Sequence, residues 1–148
     1  MDLTDKEQAF LESTRSAAMV TLRPDGRPHA VRVGFALVDG KLWVSGTRSR
    51  VRNAHLRRDP RCTLFVFDPA YSYLTLEANA TIVDRPEVPE MSLRLFRAMQ
   101  GRPAGNLLWQ GVERTPEEFL QIMAEEQRII YELEVVRTYG LYGDMAAR

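Results

Sequence analysis

Apolar and polar positions alternate along much of the chain, and short stretches of helical spacing interrupt the alternation. One such stretch opens it. Thr4 and Glu7 have the spacing of an S/T-x-x-E capping box, and Phe10 and Leu11 supply a buried side, which predicts a helix ending near Thr14 to Ser16. Alternation takes over in Ala17-Ala18-Met19-Val20-Thr21-Leu22-Arg23, and the turn residues Pro24-Asp25-Gly26-Arg27 follow. Pro28 to Val38 reads as one long strand, with Ala30, Arg32 and Gly34 alternating against Val31, Val33 and Phe35. Asp39-Gly40 is a two-residue hairpin signal, and Lys41-Leu42-Trp43-Val44-Ser45 returns as a third strand. These strands predict an antiparallel meander, with no βαβ crossover and no glycine-rich dinucleotide fingerprint.

The pattern changes between Gly46 and Pro60. Arg48, Arg50, Arg52, Arg57 and Arg58 crowd this stretch, and Val51 and Leu56 are its main large apolar residues. A short surface helix over Ser49 to Arg58 is predicted, stopped by Pro60. Arg61 to Phe67 is a fourth strand, closed by Asp68-Pro69, and Tyr73 to Val83 is a fifth. Pro86 to Gly101 turns helical, with Met91, Leu95 and Met99 on one face at four-residue spacing. Arg102 to Arg114 holds several turn residues plus Trp109. Thr115-Pro116-Glu117-Glu118 is a second capping box with proline at the first helical position, and Phe119, Ile122 and Met123 give that helix its apolar face. Ile129 to Tyr139 is the last strand, and Gly140 to Met145 reads as an irregular tail. The fold class is mainly β with short helices. Six mostly antiparallel strands describe a small closed or nearly closed barrel, since closure removes exposed edges; a sandwich has the same strand count.

Composition narrows the function classes. A chain of 148 residues predicts one domain, spanning 1–148, with a sizeable core. Lys plus Arg is 20 and Asp plus Glu is 20, which argues against binding nucleic acid or membranes through bulk charge. The apolar fraction of 45% argues against wholesale disorder. No apolar run approaches the ~20 residues that span a bilayer. The start of the chain is charged from Asp2 onward and is unlike a signal peptide. Cys62, the one cysteine, makes no internal disulfide, and with two histidines it does not build a Cys/His zinc site. A reduced, cytoplasmic, metal-free protein is expected.

The arginine segment carries the most chemical information. Arg50 and Arg52 stand two apart beside the hydroxyls of Ser45, Thr47 and Ser49. Hydroxyls, backbone N–H groups at a helix start and guanidinium forks are what a phosphate needs. A solvated basic helix has the same composition. RNA is the weaker reading, because no aromatics interleave for base stacking. His29 and His55 fit surface or hydrogen-bonded structural roles, and Cys62 fits a buried small hydrophobe. Asn79-Ala80-Thr81 matches a glycosylation sequon by chance. Tyr71, Tyr73 and Trp109 are candidates to wall a planar ligand, or to fill a core or an interface. No acid/base pair stands out, so no catalytic residue is assigned.

Three local patterns, in this order of elements, resemble the pyridoxamine-phosphate-oxidase-like split barrels. They are Asp25-Gly26-Arg27-Pro28-His29 before a long apolar strand; Leu42-Trp43-Val44-Ser45 with Arg50-Val51-Arg52 leading into Leu56-Arg57-Arg58-Asp59-Pro60-Arg61; and the ending Tyr139-Gly140-Leu141. The nearest likeness is to the actinobacterial flavin/deazaflavin oxidoreductase branch. The resemblance implies a six-stranded antiparallel split β-barrel, FMN-binding in type, forming a homodimer with a cofactor in each of two interface clefts. It implies coenzyme F420 as cofactor, with FMN as the alternative, and a reductase passing hydride to an unsaturated small molecule. A binding protein for a cofactor or tetrapyrrole, without turnover, is the alternative on the same fold. Carried over by position, Ser45, Arg50 and Arg52 fall where the family holds the cofactor's phosphate-bearing chain, with Gly46, Thr47 and Val51 in the same loop. Val31, Arg32 and Val33, and Val44 with its neighbours, line the ring edge. Tyr71 falls where relatives carry an aromatic facing the partner's cofactor. Arg52 stands where lysine is common; arginine keeps the charge and adds a fork.

Overall fold

A computed structural model describes residues 1–15 and 17–143, and places α1 at Asp5–Ser13. The expected capping box starts it: the Thr4 hydroxyl accepts from the Glu7 amide at 3.1 Å, and the Glu7 carboxylate accepts from the Thr4 amide at 2.8 Å. Phe10 and Leu11 are buried as expected. Then come β1 (Ala17–Leu22), β2 (Pro28–Val33), β3 (Phe35–Val38), β4 (Lys41–Thr47), α2 (Arg52–Arg58), β5 (Arg61–Phe67), β6 (Tyr73–Val83) and α3 (Val88–Gln100). A small hairpin of β7 (Leu107–Trp109) and β8 (Val112–Arg114), α4 (Pro116–Glu125) and β9 (Arg128–Leu141) complete the described chain.

Seven strands form one antiparallel sheet in the order β2-β1-β5-β6-β9-β4-β3. The first and last strands of that order are adjacent in sequence. Pro28 to Val38 is therefore two strands, not one: Pro28–Val33 pairs with β1, and Phe35–Val38 pairs with β4. Gly34 sits between them and its carbonyl accepts from the Ser45 amide at 3.0 Å. One extended segment thus joins both ends of the sheet and curls it into a split barrel. The expected meander is corrected in the same way, because β2 and β4 end on opposite sides of the sheet order. The Asp39-Gly40 turn has φ of 50° and 76°, the left-handed pair that a two-residue hairpin demands.

Three apolar clusters follow from the alternation. Met19, Val44, Leu64, Leu76 and Tyr131 fill the barrel. Trp43, Val88, Leu95 and Ile130 lie on the outer face under α3. Phe96, Leu107, Phe119 and Met123 join α3, the hairpin and α4. The segment expected to be turns thus holds two short strands, and Trp109 packs edge-on against Phe96 and Phe119 at 5.1 and 5.7 Å. The tail expectation is corrected at Gly140 and Leu141, which pair with Leu74 and Tyr73. Asp144 and Met145 lie outside the described residues.

Candidate functional site

β4 runs Leu42, Val44 and Gly46 along the inner face of the barrel and Trp43, Ser45 and Thr47 along the outer face. The chain then turns into α2, which covers one mouth of the barrel. This helix is shorter than expected and is not a surface element: Arg52, Asn53, His55 and Leu56 are buried. Val51, expected among its apolar contacts, is exposed and serves as its N-cap.

One amide ties the turn to the core. Asn53 Nδ2 donates to the carbonyls of Thr47 and Arg48, at 3.0 Å each. Its Oδ1 accepts from the phenol of Tyr131, a fully buried residue of β9. Burial pushes the Tyr131 phenol above its ordinary pKa, and Arg52 opposes that shift, so the ring stays a neutral donor. Asp59, past the helix end, is held at about 2 by its hydrogen bonds from Arg61.

Arg52 is 7% exposed, and its guanidinium carbon lies 5.3 Å from the centre of the Tyr131 ring. Its Nε is buried without a hydrogen-bond partner. No carboxylate pairs with it among the described residues. Burial lowers its pKa, Tyr131 raises it, and the neighbouring charges of Arg50 and Arg128 lower it further. Arginine remains a cation through such shifts, so three like charges converge here. Arg50 is exposed and pairs with no carboxylate among the described residues. Arg128 begins β9, opposite Thr47 in the ladder, and its Nη1 donates to Ser45 Oγ at 3.4 Å. Such a cluster, with an orphaned N–H and buried charge, has the donor chemistry that an anion such as a phosphate needs.

The predicted residues separate by face. Gly46 and Arg52 both lie against the Tyr131 ring, Ser45 faces Arg128 on the other side of β4, and Thr47 and Ser49 share a hydroxyl contact of 3.3 Å. Val33 and Val44 are buried in the barrel and Val31 packs against the same core, while Arg32 is exposed. Tyr71 stands 91% exposed on the loop after β5. Arg48 is taken by Asp84, through bonds of 2.9 to 3.1 Å. Asn53, Tyr131 and Arg128 were not anticipated. Their link to the turn depends on the β4–β9 register, which joins positions about 80 residues apart and leaves no local pattern.

The other candidates have structural surroundings. His55 Nδ1 lies 2.9 Å from Thr21 Oγ1, and its ring meets His29 edge-on at 5.1 Å. Burial pushes the Cys62 thiol up to about 12, which leaves it protonated and unreactive. No helix among the described residues is long and apolar enough to cross a membrane.

A strand, an anchored arginine turn and a helix covering the mouth of a split barrel accord with the result of a family comparison. Residues 3–131 match the pyridoxamine 5'-phosphate oxidase family. The chain belongs to that family. Among solved structures, it is similar to a conserved hypothetical protein from Mycobacterium tuberculosis, at 23% identity and a TM-score of 0.74, over 99% of this chain and 89% of that one. It is also similar to an F420 reductase, at 21% identity and a TM-score of 0.65, over 93% and 98%. A heme binding protein from Mycobacterium smegmatis matches at 18% identity and a TM-score of 0.64, over 97% of this chain and 56% of that one. At these identities the three likenesses concern the fold. The pyridoxamine 5'-phosphate oxidase family has flavin-binding oxidoreductases among its members.

Proposed function

We propose that the chain is an oxidoreductase that holds coenzyme F420 by its phosphate and passes hydride between that cofactor and an unsaturated small molecule. The observation that carries this reading is Arg52, buried, without a carboxylate partner among the described residues and with an orphaned Nε, beside two further arginines. A buried cation without a counter-ion is destabilising, and its retention is explained by an anion that completes it. The donor set suits a phosphate group: two guanidinium forks on Arg50 and Arg52, and the hydroxyls of Ser45 and Thr47. When bound, the deazaflavin ring supplies the hydride chemistry.

The chain's own residues have holding tasks. Arg52 and Arg50 bind and orient the phosphate. Asn53 fixes the turn that presents them. Arg32 and Tyr71, both exposed, are assigned to the ring or its surroundings by their position in the family pattern. No side chain is assigned as a proton donor, and solvent serves. The likeness to an F420 reductase over nearly the whole chain supports F420. FMN, which shares the phosphate, is the competitor.

The same reading includes a homodimer in a cytoplasmic setting. Phe65, Phe67, Tyr139 and Leu141 are exposed on the outer face of β5 and β9, with Phe65 5.4 Å from Phe67 and 5.6 Å from Tyr73. An apolar patch of this kind supports a self-association face.

Calorimetric titration with F420 and with FMN, at two ionic strengths, tests the reading. F420 should bind more tightly, with a preference that shrinks in salt, because carboxylates beyond its phosphodiester meet exposed arginines. Arg48 is already paired, so that margin rests on Arg50 and Arg57 and stays near tenfold or less, about 1.4 kcal/mol. Tighter FMN binding at low salt would make this a flavin enzyme, and binding of neither would remove the proposal.

A further inference from the structure

Arg128 is held more elaborately than a surface arginine needs. Its Nε and Nη2 donate to one oxygen of Glu126, at 3.0 and 2.7 Å. The other Glu126 oxygen accepts from the Trp109 indole at 3.0 Å. The Arg128 guanidinium lies over that same indole, 4.9 Å from its centre. Trp109 in turn packs against Phe96 and Phe119. Trp109 of the hairpin and Glu126 at the end of α4 therefore clamp Arg128 on two sides, and its remaining nitrogen, Nη1, faces Ser45 in the candidate site.

We propose that Arg128 is a third anion-holding residue, and that Glu126, as its positioning residue, shifts the site's selectivity from phosphomonoesters toward phosphodiesters. The inference rests on the phosphate reading of Arg52 given above. The clamp fixes one N–H direction toward the site at little cost in side-chain freedom on binding. Glu126 also cancels part of the charge it positions. The local sum is three arginines against one carboxylate. A phosphodiester carries one negative charge, whereas a phosphomonoester above its second pKa of about 6 carries nearly two. Removing the Glu126 charge strengthens attraction for both, and more for the dianion. Glu126 therefore lowers the site's field and narrows the electrostatic advantage that a dianion has over a monoanion.

The experiment is calorimetry at pH 8 with FMN, a phosphomonoester, and F420, a phosphodiester, on the wild type and on Arg52→Ala, Arg128→Gln, Arg128→Lys and Glu126→Gln. Arg128→Gln should weaken both ligands by roughly fivefold or more, the loss of one charge-assisted hydrogen bond. Arg128→Lys should restore part of it, which separates lost charge from lost fold. Glu126→Gln should shift the FMN:F420 affinity ratio toward FMN by about threefold or more, an effect that a merely structural clamp would not produce. Wild-type affinities in Arg128→Gln, with Arg52→Ala weakened, would overturn the role of Arg128 and leave the phosphate reading intact. An unchanged ratio in Glu126→Gln would overturn the selectivity role alone. Unchanged binding in Arg52→Ala, or no binding by the wild type, would remove the phosphate reading and this inference with it.

Discussion

The ring of Tyr131 occupies the space beside Gly46 that any side chain would need: a Cβ at Gly46 would lie 2.5 Å from Tyr131 Cε2 and 2.8 Å from its hydroxyl. Tyr131 is fully buried and bonded to Asn53, so the ring has nowhere to move. Gly46→Ala should therefore destabilise the protein by roughly 1–3 kcal/mol, the usual range for overpacking. Urea unfolding of the variant with an unchanged midpoint would show that the ring can give way.

Asn53→Ala should loosen the arginine turn more than the barrel. It leaves the carbonyls of Thr47 and Arg48 and the Tyr131 phenol without their partner. The Thr47 carbonyl keeps the Arg50 amide at 3.3 Å, and the buried Tyr131 phenol, left without an acceptor, costs about 1–3 kcal/mol. Hydrogen exchange should speed up selectively at amides 47–53, and wild-type exchange there would refute the anchoring role.

Arg52→Met should have opposite effects on stability and binding. Replacing a buried, unpaired cation by an apolar side chain of similar length is neutral or stabilising in the ligand-free protein. Loss of a charge-assisted bond to phosphate weakens binding by roughly 1.5–3 kcal/mol. Arg57→Ala, on the exposed side of α2, should cost F420 affinity about 1 kcal/mol or less and leave FMN affinity close to wild type. A lowered Tm together with unchanged affinity in Arg52→Met would assign this arginine to the fold.

Acid should weaken the fold at α2. Burial, followed by His29, Arg58 and Arg23, lowers the pKa of His55 in the folded state. The unfolded chain takes up that proton near pH 6.5, so the stabilising contribution is complete above about 6.5 and declines as the pH falls through the folded-state value. Stability measured from pH 7.5 to 5.5 should fall less steeply in His55→Gln than in the wild type. Equal slopes would clear His55 of the effect.

The aromatic face predicts an oligomer that a single charge disrupts. Light scattering should give a dimer at micromolar concentration, and Phe67→Asp a monomer, since a desolvated unpaired charge opposes association. A wild-type monomer would count against the cleft between subunits, and a dimer that survives Phe67→Asp would place the interface elsewhere.

Local chemistry made much of the fold legible. Two capping boxes, the Asp39-Gly40 turn and the alternation in β1, β5, β6 and β9 depend on neighbours within a few residues, and all appear where their patterns predicted. The pairing of Arg50 with Arg52 was legible for the same reason: they stand two apart in one turn. What tertiary structure decided was partnership across distance. Pro28 to Val38 looks uniform as a sequence, yet its halves pair with different strands, because only a closed sheet brings β1 and β4 to the same segment. Arg52 reads as one more surface cation until α2 settles on the barrel mouth and buries it over Tyr131. Glu126 and Trp109 hold Arg128 against Ser45 only through the β4–β9 register and the packing of the hairpin on α3 and α4. Periodicity records which face of an element is apolar; which element covers that face, and what charge it carries there, is set by packing.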